Sequence, residues 1–346
     1  MRVSKILAPL AALAVLLAAA PAGAEGFASV KGPALLCQGR DLRPEIASQE
    51  PALAAEIARQ AAAMPFGKGR LFRITKPGLK PSWLFGTVHV SDKRVTVFSP
   101  AVQAAMAEAR TIALEVAEAD QLGDGAVMQA AMASIGTGML AVPGERAEDV
   151  LSKPDFARLE KELETRKMPA AMANALKPVF LTMMFAEPAC VSQSRVGNSF
   201  VDLLVARTAG AAGKPVVGLE TIGEQLSVLA SFPGSMQGPY LKASVQLLDR
   251  QEDMYETMLR LYVEGEFGWM TAWSRGSRLV PKVDAAMPAL FYERLLDMRN
   301  ATMRDRALPL LAQGGVFIGV GAAHVPGRLG LANLIREAGY TVERVE

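Results

Sequence analysis

Residues 83–90 read WLFGTVHV and residues 316–324 read VFIGVGAAH. Each is an apolar run closed by Gly-x-x-His, Gly86 to His89 in the first and Gly321 to His324 in the second. The chain has 346 residues, and these are its only two histidines. Short apolar runs that meet a glycine read as buried strands ending in a turn. Their surroundings echo each other too. After His89, Ser99-Pro100 starts a helix, with serine as N-cap and proline at the first helical position, expected to run to about Arg110. Thr111–Val116 (TIALEV) is then a strand. After His324, a helix is expected over Leu329–Ala338, stopped by Gly339, and a strand over Tyr340–Val345. Strand, Gly-x-x-His loop, helix, strand therefore occurs near both ends of the chain.

Working outward, Leu71–Thr75 (LFRIT) alternates as a strand does, and Lys76-Pro77-Gly78 turns it back into Trp83–Thr87 as a hairpin. Residues 25–70 read as an N-terminal arm with a helix over Ala52–Ala63, stopped by Pro65 and Gly67. Apolar periodicity predicts helices over 154–167, 169–186, 199–211, 221–232, 239–264 and 288–308. Pro215–Glu220 (PVVGLE) interrupts them as a short buried strand. Strands alternating with helices at both ends imply an α/β fold: a mostly parallel central sheet flanked by helices on both faces, with a long helical insertion. No low-complexity linker divides residues 25–346, which read as a single domain.

The composition narrows the function classes. A formal net charge of +2 with no Lys/Arg cluster gives no phosphate track, so no nucleic-acid partner is expected. Arg2 and Lys5, the apolar run Ile6–Ala20 and the small residues Ala22-Gly23-Ala24 form a signal peptide, with cleavage expected after Ala24 and export to the periplasm or beyond. The run is short for a membrane anchor, and no later segment reaches spanning length, so no membrane span is expected after cleavage. Cys37 and Cys190 are the only cysteines. In an oxidising compartment an even count favours a disulfide, two free buried thiols being the alternative. Leu36 is too large for the lipobox of a lipoprotein.

Four expected strands end in or near a polar residue: His89, Glu115, Glu220 and His324. If the strands are parallel, all four side chains sit on one edge of the sheet, where α/β proteins bind ligands. A glycine before each histidine lets the backbone turn sharply and a ligand approach. Two imidazoles and a carboxylate form a ligand set for a catalytic divalent metal with an open position for water. His89, His324 and Glu115 are the candidate ligands. A second carboxylate, Glu220, is a candidate general base or histidine orienter, with helix capping as its plainer alternative. On the helix over 288–308, Arg299 has apolar neighbours one turn away and is expected either to hold an oxyanion or substrate carboxylate or to form a structural ion pair. Asp92 and Asp202 are weaker candidates, explained by loop and helix-end roles. No Gly-x-Ser-x-Gly occurs, and the two cysteines look paired, so a serine or cysteine nucleophile is not expected.

GTVH, GLETIGEQL, Arg299-Asn300 with Met303, and GVGAAHVPGRLGL together resemble the TraB/GumN family, over about residues 70–345. That family includes the TIKI proteins, which are similar in their paired Gly-x-x-His motifs. The resemblance implies a fold similar to the erythromycin-esterase and ChaN-like group. It also implies metal-dependent peptidase activity with His89 and His324 first, then Glu115, then Glu220, Arg299 and Asn300. The arm with Cys37 and the segment around Cys190 look like exported bacterial members, which favours the disulfide. The leading expectation is an exported metal-dependent hydrolase of peptide or ester bonds. A metal-free hydrolase, a non-catalytic haem- or metal-binding protein, and an accessory protein of envelope polysaccharide assembly are the rivals.

Overall fold

A computed structural model describes residues 37–90, 92–117, 133, 136–194, 200–276 and 292–346. The signal peptide expected over residues 1–24, and the arm before Cys37, lie outside the described residues. Among the described residues no helix is long and apolar enough to cross a membrane.

Six strands form one mixed sheet: β1 (Leu71–Thr75), β2 (Ser82–Thr87), β3 (Thr111–Val116), β4 (Val216–Glu220), β5 (Val316–Gly321) and β6 (Thr341–Arg344). Their order is β4-β3-β5-β2-β1-β6. β2, β3, β4 and β5 pair parallel to their neighbours in that set, and β1 is antiparallel to both β2 and β6. Every residue of β2 and β5 is buried, as expected of interior parallel strands covered by helices on both faces. β6, at one edge, is largely exposed.

The strand order has a consequence for the site. From β2 the chain crosses β5 to reach β3, and from β5 it crosses β2 and β1 to reach β6 on the opposite side. The two neighbours at the centre of the sheet thus send the chain in opposite directions. A crevice opens beyond the carboxyl ends of such a pair, at the topological switch point. Both Gly-x-x-His segments leave the sheet there.

The helices follow local chemistry. Ser99 caps the helix Pro100–Glu108, its Oγ accepting from the Val102 N–H at 3.2 Å. Thr221 and Glu224 form a reciprocal capping box on Ile222–Ala230, so Glu220 is released from the capping role considered for it. Two expected helices are broken. The span 169–186 divides into Met172–Ala175 and Pro178–Met184, because the residue before a proline is pushed out of helical geometry and Lys177 is extended. The span 239–264 divides into Gly234–Gln246, a 3-10 turn at Leu248–Arg250, and Gln251–Val263. The helix carrying Arg299 runs over Met298–Leu311, after a π turn at Glu293–Asp297.

The arm is fastened by a disulfide between Cys37 and Cys190. Its apolar residues Leu42, Ile46 and Ile57 join the main core. The Leu42 N–H donates to Thr257 Oγ1 at 2.8 Å, and Arg43 bridges Asp41 and Glu264. A separate apolar cluster gathers around Val116, the last residue of β3, and includes Phe180, Met183, Ile222, Leu226 and Leu296.

Candidate functional site

β2 ends at Thr87, paired in register with Gly321 at the end of β5. His89 follows two residues after Thr87, and a single 3-10 turn, Ala322–His324, presents His324. Glu115 is the penultimate residue of β3, and Glu220 closes β4. The four side chains expected on one edge of the sheet are on one edge, and all four are buried.

Three of them, His89, Glu115 and His324, converge on one spot. A methyl group placed on Gly321 would lie 3.3 Å from Glu115 Oε2, 3.6 Å from His324 Cδ2 and 3.7 Å from His89 Nε2. His324 Nε2 stands 3.9 Å from Glu115 Oε2, and the Gly321 N–H donates to that same oxygen at 3.0 Å. The two motif glycines therefore do different work. Gly321 keeps the meeting point of three functional groups open, whereas a side chain on Gly86 would strike the Phe267 ring at 2.4 Å. Neither glycine needs a left-handed backbone, so the sharp-turn role expected for them is not used.

Each histidine has a partner behind it. Asn300 Nδ2 donates to the Leu329 carbonyl at 2.8 Å, which turns Asn300 Oδ1 toward His324 Nδ1 at 2.7 Å. An amide oxygen only accepts, so His324 carries its proton on Nδ1 and its Nε2 lone pair faces Glu115. His89 Nδ1 lies 2.7 Å from Asp202 Oδ2, and the Thr87 hydroxyl donates to Asp202 Oδ1 at 2.6 Å. Tyr262 donates to the Gly86 carbonyl at 2.9 Å and steadies the end of β2.

Arg299 is committed to the two glutamates. Its Nε donates to both Glu220 oxygens at 3.0 Å, Nη2 to Glu220 Oε2 at 2.6 Å and to Glu115 Oε1, and Nη1 to the Leu295 carbonyl at 3.0 Å. Of the two roles considered for Arg299, the structure contains the ion pair. Gln225 Nε2 adds bonds to Glu115 Oε1 at 2.7 Å and Glu220 Oε2 at 3.3 Å. Burial alone would raise the Glu115 carboxyl, but the Arg299 guanidinium, helped by both imidazoles and the Gly321 N–H, holds it well below the usual carboxylate range. Glu220 moves the other way: burial, reinforced by the Glu115 charge, raises it despite Arg299. Burial pushes the His324 imidazole down to about 3, so it is neutral at physiological pH.

Counted at formal charge, the buried group holds three carboxylates (Glu115, Glu220 and Asp202) against one guanidinium. Two negative charges are left over at a place where two imidazoles face a carboxylate oxygen. That donor set and charge suit a divalent cation. Among the described residues, however, no three His, Cys, Asp or Glu side chains already form a metal cage. Glu115 is partly occupied by Arg299, Gln225 and the Gly321 N–H.

Sequence reading missed Gln225 altogether and undervalued Asp202. Asp202 carried a signal: it interrupts an apolar stretch, Phe200-Val201 before it and Leu203–Val205 after it. Gln225 carried none of its own, since a polar residue one turn into a helix is ordinary. Asp92 has the plain role expected of it, capping the short helix Lys93–Thr96 and pairing with Arg94.

The profile of the TraB/PrgY/gumN family matches residues 70–344, which is most of the chain. The chain belongs to that family. No curated protein and no solved structure matches it.

Proposed function

We propose that this member of the TraB/PrgY/gumN family is an exported hydrolase of peptide or ester bonds, with His89, His324 and Glu115 at its reaction centre and a divalent cation as cofactor. The observation that supports this is the convergence of His89 Nε2, the His324 ring and Glu115 Oε2 on the open spot beside Gly321. His89 Nε2, His324 Nε2 and Glu115 Oε2 would hold the ion. A cation bound there would acidify a water and polarise the carbonyl under attack. The protein's own groups prepare the place. Asn300 holds the His324 ring so that its Nε2 lone pair faces inward. Arg299 and Gln225 keep Glu115 ionised and in place. Glu220 shares Arg299 and tempers its positive charge. The apolar cluster around Val116 limits water on one side.

A metal-free hydrolase is the second reading, favoured by Asp202 behind His89 and by the prior engagement of Glu115. There His89 Nε2 takes the proton of an attacking water and the Asp202 carboxylate steadies the resulting imidazolium. Metal analysis with a peptide and ester screen separates the readings. Stoichiometric metal lost in both His89→Ala and His324→Ala, together with loss of turnover, supports the cation. Full turnover in excess chelator defeats it. A Soret band on haem titration that vanishes with either substitution, in a protein without turnover, would instead support a haem carrier. Normal complementation by the double histidine variant would point to an accessory role in envelope assembly. Export rests on the signal-like residues 1–24 and on the disulfide, and is tested by cell fractionation and N-terminal sequencing of the full chain.

A further inference from the structure

The two histidines are held by chemically different partners. His324 leans on the amide oxygen of Asn300, and His89 on the carboxylate of Asp202. Asp202 lies in the first turn of the helix Val201–Ala211 and is buried. Its neighbours Val201 and Val205 are anchored in the main core, which fixes the helix against the sheet. Asp202 Oδ1 is taken by the Thr87 hydroxyl, and Thr87 is the register partner of Gly321. The other oxygen stands 2.7 Å from His89 Nδ1, close enough for an ion pair but off the line of a hydrogen bond. The Phe200 ring stands edge-on to the imidazole, 6.0 Å between centroids and 78° between planes, and limits its tilt.

We propose that Asp202 is a positioning residue: it fixes His89 as the Nδ1–H tautomer and aims Nε2 at the spot beside Gly321, so that the site pairs one carboxylate-backed imidazole with one amide-backed imidazole. A carboxylate accepts hydrogen bonds and does not donate them, so any proton the two groups come to share is carried by His89 Nδ1. Carboxylate-backed imidazoles are stronger donors at the opposite nitrogen than amide-backed ones. The two Gly-x-x-His motifs, alike in sequence, are thereby made unequal, with His89 the stronger base or ligand. The competing explanation is that Asp202 serves only to satisfy the Thr87 hydroxyl. The consequence for turnover rests on the hydrolase reading above, but the tautomer assignment does not.

The histidine content makes this directly measurable. In protein labelled with ring-15N histidine, long-range 1H–15N correlation spectra contain two imidazoles only, and His324→Ala identifies which is which. In the wild type, His89 is expected as Nδ1–H with an unprotonated Nε2. In Asp202→Asn the amide can offer its NH2 to Nδ1, and His89 should shift to Nε2–H or to a mixture while His324 is unchanged. Asp202→Glu restores a carboxylate and should restore the Nδ1–H form. Zn2+ titration of Asp202→Asn should show affinity reduced about 10- to 100-fold relative to wild type. An Nε2–H His89 in the wild type, or an Asp202→Asn spectrum identical to it, overturns the proposal. If Asp202→Asn does not fold, the wild-type tautomer and the Asp202→Glu spectrum still decide. A protein that binds no Zn2+ and turns over no substrate, yet shows the expected tautomer pattern, defeats the hydrolase reading and leaves this one standing.

Discussion

Adding one methyl group to each motif glycine should give opposite results. Gly321 has φ −50° and ψ 137°, a conformation that alanine adopts freely. Such a Gly→Ala change gains about 0.4–1 kcal/mol from the unfolded chain. Against it stands one close contact, 3.3 Å to Glu115 Oε2, which a shift of a few tenths of an ångström relieves. The net effect on stability is therefore within about 1 kcal/mol of zero, and the melting temperature should stay within about 2 °C of wild type. The same methyl fills the place where three functional groups meet. Displacement of a reacting group there by about 1 Å costs on the order of 100-fold in rate. Gly86→Ala drives its methyl into Phe267 Cε2 at 2.4 Å and Cζ at 2.8 Å. Overpacking of that kind costs about 1–3 kcal/mol, a fall of about 2–10 °C in melting temperature. The assay is calorimetry on both variants, alongside hydrolysis and Zn2+ binding. A Gly321→Ala protein that melts as low as Gly86→Ala, or one that keeps full turnover and full metal affinity, refutes the placement of the site.

Three further outcomes follow from the buried charges and the clip. Arg299→Met strands Glu115 and Glu220 without a counter-charge; chemical denaturation should show a loss of about 3–5 kcal/mol, and a loss under 1 kcal/mol would contradict the ion-pair geometry. The two glutamates should impose opposite pH slopes on unfolding free energy. Glu220, raised by burial, contributes stability fully present below its unfolded value of 4.5 and lost as pH rises through the folded value, so Glu220→Gln should remove a decline that begins near 4.5 and ends at the folded value. Glu115, held low by Arg299, contributes stability present above 4.5 and lost as pH falls toward its folded value. Cys37 and Cys190 are 153 positions apart; Cys37→Ser should lower unfolding free energy by about 2–5 kcal/mol, and reductant should then leave the midpoint of the variant unmoved.

Much of the sheet could be read directly. WLFGT, TIALEV and VFIGVG are interior strands with apolar side chains on both faces, which leaves a continuous signal; LFRIT shows the alternation of a strand with one open face, and VVGLE, expected to be buried, is an edge strand with Val216 and Val217 half-buried and Gly218 exposed. Helix ends with strong local chemistry, such as Ser99-Pro100, were equally plain. The break at Lys177-Pro178 was legible in principle, but apolar periodicity ran through it and masked it. Strand order was not legible, because it depends on which faces the crossing helices cover rather than on any one segment. The site divides similarly. His89 and His324 announced themselves by rarity and by matching context. The fork from Arg299 to Glu115 and Glu220 spans 184 and 79 positions, and no local pattern encodes such a meeting. Asp202 was set aside because an acidic residue in a first helical turn has an ordinary explanation, and only the fold shows it turned inward toward His89.

The central position of β5 sets when the site can come into being. β5 separates β3 from β2, and the last turn of the site follows it directly. A growing chain that has passed residue 311 already holds His89, Glu115, Glu220 and Arg299, yet β2 and β3 have nothing to pair with between them. Chains fold from the N-terminal side as they are made, so the edge that gathers His89, Glu115 and His324 cannot assemble before β5 has been made. Insertion of one strand then closes the sheet and delivers His324 in the same event. Any fragment cut short of β5, whether by proteolysis or by interrupted synthesis, lacks His324 and the strand that joins β2 to β3.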